Sequence, residues 1–444
     1  MVDPATPSRA PDDPRQRASA VRAWCLYDWA NSGFATSVTT ALLPPFFANI
    51  ADRVLSPNVT TAVWGYASAI ALALAAIVAP LLGASADHLG QRKPLLFACV
   101  VIGCLTTGLI AVSPAGNWFA LLLLFGIGFI AFASGNVLYD SLLPAVARPS
   151  EMHRVSARGF AYGYLGGGIL LAINLAWILK PQWFGLSGAE AATRLSFASV
   201  AVWWLLFSLP LFRQVPEPVT HVAALPMREL AARVPKRLLL TLARIRHQPE
   251  LFRFLLAFWL YSDGIGTIIK MAAIYGTELG IGRAHLVGAL LLTQLVAAPA
   301  SLAFGRLAHR IGPQRAVVFG LAGYVGITVL AWFMSQPWHF WALAGLVALF
   351  QGGTQALSRS MFASLVPRAR LSELFGFYSV SEKLAGVVGP LVFGLVAHLT
   401  GSGRFAVLTL LPFFIGGAWL LMRVDLEAGA ARATGDAPAG GSAA

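Results

Sequence analysis

Several polar residues stand where the chain offers them little water. Asp28 and Asn31 lie early in one long apolar run, Asn136 and Asp140 late in another, and Asp263 and Lys270 within a third. Gln351, Gln355, Ser358 and Arg359 form one stripe at helical spacing, and Glu382 and Lys383 stand side by side in a further apolar run. An ionised group among apolar neighbours is costly unless it is paired or faces water. Acids and bases mixed at such depth can bind a small zwitterion, and a carboxylate whose proton affinity depends on a partner can carry a proton. Asp263 and Lys270 fall on nearly one helical face, two turns apart, with Gly264 and Gly266 between them to loosen the helix. Asp263–Lys383 and Lys270–Glu382 are the pairs expected across the bundle. Arg359 offers a planar fork for a solute carboxylate, with Glu382 or Asp263 as alternative partners. Asp28 and Asn31 are expected one turn inside a span, as a gate or the edge of a site. The competing reading throughout is an ion pair that only fixes helix packing.

The elements that hold these residues are membrane spans. Of 444 residues, 57% are hydrophobic and 11% charged, against about 25% charged in soluble domains. Runs that are apolar on every side, rather than on one face, are solvated by lipid. Twelve are expected, at 25–49, 61–86, 94–113, 117–146, 154–179, 195–213, 251–277, 285–309, 315–335, 338–366, 373–399 and 404–423. Lys and Arg collect in alternate loops when both termini are cytoplasmic, so the net charge of +13 reports orientation and not nucleic-acid binding. The expected organisation is a cytoplasmic tail over 1–23, a six-helix bundle over 24–213, a cytoplasmic linker over 214–250, a second bundle over 251–425, and a disordered tail over 426–444. The 228–247 part of the linker reads as a basic helix on the anionic leaflet. Cys25, Cys99 and Cys104 read as small buried hydrophobes, and no metal or cofactor is expected. The His and Cys residues are scattered, with no H-E-x-x-H, and no G-x4-G-K-[ST] occurs, which argues against an intramembrane enzyme and against direct drive by ATP.

The two halves repeat one another. Gly83-x3-Asp87-x2-Gly90-x-Arg92-Lys93 follows the second span, and Gly305-x3-His309-x2-Gly312-x2-Arg315 follows the eighth. Pro144 and Pro367 end spans four and ten, and Gly159-Phe160 and Gly376-Phe377 open spans five and eleven. Two six-helix repeats related by an axis normal to the membrane place a solute site between the halves near mid-depth.

The turn from Gly83 to Lys93 resembles the signature of the major facilitator superfamily, in the loop where that signature belongs. More narrowly, the chain is similar to the branch named after the fungal autophagy-related vacuolar amino-acid effluxer. The matching residues are W24-C-L-Y-D28-W-A-N31-S32, V155-S-A-R-G159-F-A-Y-G-Y-L-G-G-G168 and F375-G-F-Y-S-V-S-E-K383. The resemblance implies the major facilitator fold: an all-α membrane protein of twelve helices in two pseudo-symmetric bundles. It also implies that Asp87 holds the positive N-terminal end of span eleven, near Leu371–Phe375. Arg92 is expected to pair with Asp140, the only carboxylate at the inner end of span four, completing a latch of Gly83, Asp87, Gly90, Arg92, Lys93 and Asp140. His309 in place of the acid makes that latch asymmetric or pH-sensitive. The implied function is secondary transport of a small solute, an amino acid by analogy, through alternating access with proton or cation coupling. The alternatives are an exporter of drugs or sugars, or a transporter-derived sensor or lipid-handling protein. The expected partners are that solute and the lipid bilayer of a bacterial cytoplasmic (inner) membrane, with the protein a monomer. Span four lacks an intramembrane arginine and span five lacks the antiporter proline, so antiport is not implied, and the span-five glycines read as close-packing hinges.

Overall fold

The computed structural model describes residues 11–114, 117–217, 245–246, 248–278, 283–384 and 387–434. Prolines mark where many of its helices begin. Pro57, Pro249, Pro313 and Pro337 each open a helix, where a fixed φ helps and the missing N–H would have had no partner. Gly90 and Gly401, at φ 65° and 66°, end the helices Pro57–Leu89 and Val388–Thr400 in the left-handed conformation.

The first span runs as α1 (Pro14–Gly33), a π-helical stretch Phe34–Leu42 and α2 (Leu43–Ala51). Then come α3 (Pro57–Leu89), α4 (Arg92–Val112), α5 (Trp118–Ser141), the single turn α6 (Leu143–Val146), α7 (Met152–Leu179) and α8 (Ala189–Gln214). The second half contains α9 (Pro249–Glu278), α10 (Arg283–Ile311), α11 (Pro313–Trp332) and α12 (Pro337–Leu365). It ends with α13 (Leu371–Leu384), α14 (Val388–Thr400), α15 (Gly403–Leu408), α16 (Leu411–Met422) and α17 (Leu426–Thr434). The elements from α1 to α8 pack as one lobe and those from α9 to α16 as another. The lobes meet where α3 lies along α13 and α7 along α10.

The polarity of a soluble protein is inverted. Ile70, Leu74 and Ile77 on α3, and Leu105, Leu109 and Val112 on α4, face outward, while Asp87, Arg92, Asp263 and Arg359 are buried. Eleven helices among the described residues are long and apolar enough to cross a membrane. The expected span 373–399 arrives instead as the two shorter helices α13 and α14. With it the count is twelve, and the chain is an integral multi-pass membrane protein of the expected all-α class.

Three expectations need correction. Helix α1 begins at Pro14, inside the expected tail, because Asp13 caps it and Ala20, Val21 and Ala23 find buried places. Residues 426–434 are helical and packed, not disordered. The buried Glu250 carboxylate accepts the Asp425 N–H at 2.7 Å, and Gly429 lets α17 approach Leu365. Helix α9 passes through Gly264 and Gly266 unbroken, with Gly264 packed on Phe414. The basic helix expected over 228–247 lies outside the described residues apart from Ile245 and Arg246.

At the end of the molecule where the cations gather, called the basic end below, the signature turn ties the lobes together. Asp87 Oδ2 accepts the Glu373 N–H at 2.8 Å, and Oδ1 accepts the Ser372 N–H at 3.2 Å. The carboxylate thus caps α13 of the opposite lobe, where helix N–H groups lack partners. Gly83 is needed because an added Cβ would collide with the Ser372 carbonyl. Arg92 does not reach Asp140, as the sequence had suggested. The left-handed turn at Gly90 folds Arg92 back, so Nη2 and Nε donate to Asp87 at 2.8 and 3.1 Å and Nη2 also donates to the Arg368 carbonyl. Lys93 donates to the Val215 carbonyl at 2.6 Å, and Glu217 accepts the Arg92 and Lys93 N–H groups, capping α4. Burial pushes the Glu217 carboxyl up, against the pull of those two donors.

Asp87→Asn keeps the shape but loses charge-assisted bonds, so the closed basic end should weaken by about 2 kcal/mol, roughly thirtyfold in population. Pulsed EPR distances between labels on α3 and α13 should lengthen and broaden. An unchanged distribution would count against the latch.

Candidate functional site

A cavity of about 580 Å³ lies between the lobes and runs from mid-molecule toward the end opposite the basic one. Its wall on the first lobe carries Asp28, Ser32, Thr36 and Tyr164, and on the second Gln294 and Gln351 among residues such as Ile268, Leu290 and Phe340. Its floor is one charged cluster. Arg359, on α12, is 3% exposed and is surrounded by groups of the other lobe. Its Nη1 donates to Asp140 Oδ1 at 2.9 Å and to Asp28 Oδ2 at 3.3 Å. Its Nε donates to the Ser156 hydroxyl at 2.9 Å, and Nη2 to the Ser156 carbonyl at 3.0 Å. The guanidinium also lies 4.3 Å from the Phe160 ring centre and 4.8 Å from that of Trp24, an arrangement that favours a weakly hydrated planar cation.

Each partner is held in turn. The Tyr139 hydroxyl donates to Asp28 Oδ2 at 2.8 Å, and Tyr139 stacks on Trp24. Helix α7 comes close enough because Gly159 has no side chain. A Cβ there would lie 2.7 Å from Asp28 Oδ2 and 2.9 Å from Arg359 Nη2. Further bonds between the lobes flank the cluster: the Ser156 hydroxyl to the Ala356 carbonyl at 2.7 Å, and the Tyr164 hydroxyl to Gln355 Oε1 at 3.1 Å. The floor is therefore both a charge cluster and a closure.

The expected site residues separate into groups. Asp28, Gln351, Gln355 and Arg359 meet at or beside the cavity. Asp140 joins them as a partner of Arg359, and so leaves the latch to which the sequence had assigned it. The Arg359 fork is occupied by two aspartates, not by Glu382 or Asp263, because Asp28 and Asp140 converge on it from across the lobe boundary. Asn31 and Asn136 bond to each other at 2.7 Å within the first lobe. Asp263 does not line the cavity. It is fully buried, and its Oδ2 accepts the Gly389 N–H at 2.9 Å at the start of α14. That contact requires glycine, since a Cβ on residue 389 would strike the Thr267 hydroxyl. Lys270 is exposed and lies within electrostatic reach of Asp263. Glu382 is close enough to Asp140 to act on its charge, and the side chain of Lys383 lies outside the described residues. Sequence reasoning missed Ser156, Tyr139, Tyr164 and Phe160. Ser156, Phe160 and Tyr164 sit inside a quoted motif and Tyr139 stands next to Asp140, but only their glycine and charged neighbours carried an argument.

No group of three or more His, Cys, Asp or Glu among the described residues is placed to hold a metal ion.

Residues 16–434 match the family model described as vacuole effluxer Atg22 like. An uncharacterized MFS-type transporter, YxiO of Bacillus subtilis, is 41% identical over 406 residues, covering 91% of this chain and 94% of that one. Autophagy-related protein 22 of Yarrowia lipolytica is 25% identical, covering 82% of this chain and 75% of its own. Among solved structures, the human organic anion transporter MFSD10 superposes with a TM-score of 0.66 at 20% identity, covering 93% of this chain and all of the other, 100%. That likeness speaks for the fold, and the family match over nearly the whole chain speaks for the branch: the chain belongs to the Atg22-like family of major facilitator transporters.

Proposed function

We propose that this protein is a secondary transporter that moves a small amine-bearing solute, an amino acid foremost, by alternating access, with its closed basic end in the cytoplasm of a bacterial cell. The observation that carries the reading is the floor of the cavity. Two carboxylates of one lobe face one guanidinium of the other, so the cluster holds a spare negative charge, and Asp28 is the member that lines the cavity. A solute ammonium or a proton arriving at Asp28 competes with Arg359 for that carboxylate. The same event that binds the solute thereby loosens the tie between the lobes, which is the differential interaction an alternating transporter needs. The apolar wall of the second lobe suits an aliphatic or aromatic body, and Gln294 and Gln351 supply amides for a carboxylate or carbonyl. The description of the family as effluxers and the cation-rich closed end support release or export in the direction of the open end.

This refines the reading of Arg359. A fork already engaged by Asp28, Asp140 and Ser156 is a lock before it is a ligand, and solute recognition passes to Asp28. Coupling to protons follows from the same charge count, since protonation of either aspartate leaves the cluster neutral.

The test is transport by the purified protein in liposomes, as counterflow of labelled apolar L-amino acids with and without a pH gradient. A protein that exchanges none of them, yet moves a sugar or an anionic drug, would rule out the amine reading. Arg359→Ala leaves two buried carboxylates uncompensated; at about 3 kcal/mol or more for a broken buried pair, turnover should fall over a hundredfold. Arg359→Lys keeps the charge but not the fork and should fall between that variant and the parent. Asp28→Asn retains the Tyr139 contact and the shape. It should cut amine-solute exchange about tenfold or more and abolish stimulation by a pH gradient, whereas Asp140→Asn should spare solute binding measured by thermal shift.

A further inference from the structure

The repeated turn carries different side chains in its two copies. In the first, Asp87 caps α13 across the lobe boundary and is matched by Arg92. In the second, His309 occupies the corresponding place. The backbones approach in the same way. Gly83 lies against the start of α13, and Gly305 lies against the start of α7, where an added Cβ would be 2.8 Å from that of Ala157. The chemistry at the two contacts differs. The first is filled by its own ion pair, with Asp87 and Arg92 almost wholly buried. The second encloses a cavity of about 820 Å³, into which Arg154 and Arg158 project from one lobe and Arg306 and Arg310 from the other, beside His153 and His309. Glu151 at its rim is engaged by Arg17 at 3.6 Å. Among the described residues, none of the four arginines has an ion-pair partner.

Four guanidiniums drawn from both lobes into one hollow repel each other, which opposes the closure that the opposite seam favours. We propose that this hollow binds a phosphate group, which supplies at the α7–α10 seam the negative charge that Asp87 supplies at the α3–α13 seam, and so ties the lobes together at the basic end. Planar forks converging from two sides suit the oxygens of a phosphate, which can accept bidentate pairs from both lobes at once. Two sources carry this chemistry: the phosphodiester of an anionic lipid and free phosphate. Leu302, exposed on the wall of the same hollow, gives the start of an acyl chain an apolar surface. The site is separate from the central cavity, so the proposal stands whatever solute is carried.

The experiment follows thermal unfolding of the purified full chain in uncharged detergent, titrated with dioleoyl phosphatidylglycerol, dioleoyl phosphatidylcholine or inorganic phosphate, with EPR distances across the α7–α10 seam measured in parallel. Phosphatidylglycerol should raise the unfolding temperature saturably and narrow the distance distribution. An equal response to millimolar inorganic phosphate would support the site with free phosphate as its ligand, and a response to phosphatidylglycerol alone would support it with a lipid headgroup. Arg154→Gln with Arg306→Gln should weaken the apparent affinity by roughly tenfold or more. His309→Asp supplies the missing carboxylate within the chain. It should raise the unfolding temperature without added anion and blunt the response to phosphatidylglycerol. Should the double variant fail to fold, His309→Asp decides alone. An equal gain with phosphatidylcholine, or a full response to phosphatidylglycerol in His309→Asp, would overturn the proposal, because the lipid would then act elsewhere on the surface.

Discussion

The cost of burying Arg359 organises much of this protein. A guanidinium in a low-dielectric interior must find counter-charge and hydrogen-bond acceptors, or the helix carrying it cannot stay there. None of the acceptors that meet it comes from its own lobe: Asp28 is on α1, Asp140 on α5 and Ser156 on α7. The cation therefore does more than stabilise one helical bundle. It makes one bundle's electrostatic comfort depend on the position of the other. The glycine at 159, the rings of Trp24, Tyr139 and Phe160, and the Tyr139 hydroxyl serve that single contact, by letting α7 approach, by covering the faces of the guanidinium and by fixing the aspartate.

Such a pair contributes less to net stability than to specificity. Replacing a buried ion pair by apolar residues is often neutral or stabilising, whereas removing one member is costly. Its value here is that the tie can be undone by charge. A close-packed apolar interface between lobes would be indifferent to a small cation or proton arriving from the cavity. The signature turn around Asp87 complements it from the surface: there the carboxylate meets the N–H groups of a helix end, again across the lobe boundary, and again with its own arginine holding it in place. The two ties lie on the same half of the molecule, which is why that half is shut while the other encloses the cavity.

How much of this the sequence disclosed depends on the range of each interaction. Local regularities were legible. All-round apolar runs placed the helices, the Gly83–Lys93 turn marked Asp87 as a cap for a neighbouring helix, which the family resemblance named as span eleven, and the i, i+4, i+7, i+8 spacing of Gln351, Gln355, Ser358 and Arg359 showed a polar stripe. Partner choice was not, because Asp28, Asp140 and Arg359 are far apart in the chain and nothing local says which acid meets which base. Arg92 was given the wrong carboxylate since the left-handed turn at Gly90, which folds it onto Asp87, leaves only a glycine as its trace. Asp263 looked like a pathway residue because depth along a helix can be counted, while the direction a side chain faces depends on neighbours. Its use as a cap for α14 becomes visible only once span eleven is seen as two helices. Tyr164 and Ser156 were overlooked for a related reason: in a run dominated by glycine, attention falls on what lets helices touch and not on the hydroxyls that bind them.

The anchoring of Glu217 at the start of α4 has a mechanical consequence. The strand joining the two lobes leaves α8 at Gln214, and within three residues its carboxylate is fastened to the N–H groups of Arg92 and Lys93 while Lys93 grips the Val215 carbonyl. The chain leaving α8 is thus moored at the closed turn, like a rope made fast at the cleat. Tension applied to it is delivered first to the arginine and lysine that flank the closed turn, so whatever pulls on or shortens that tether acts with leverage on the turn before it moves either lobe as a whole.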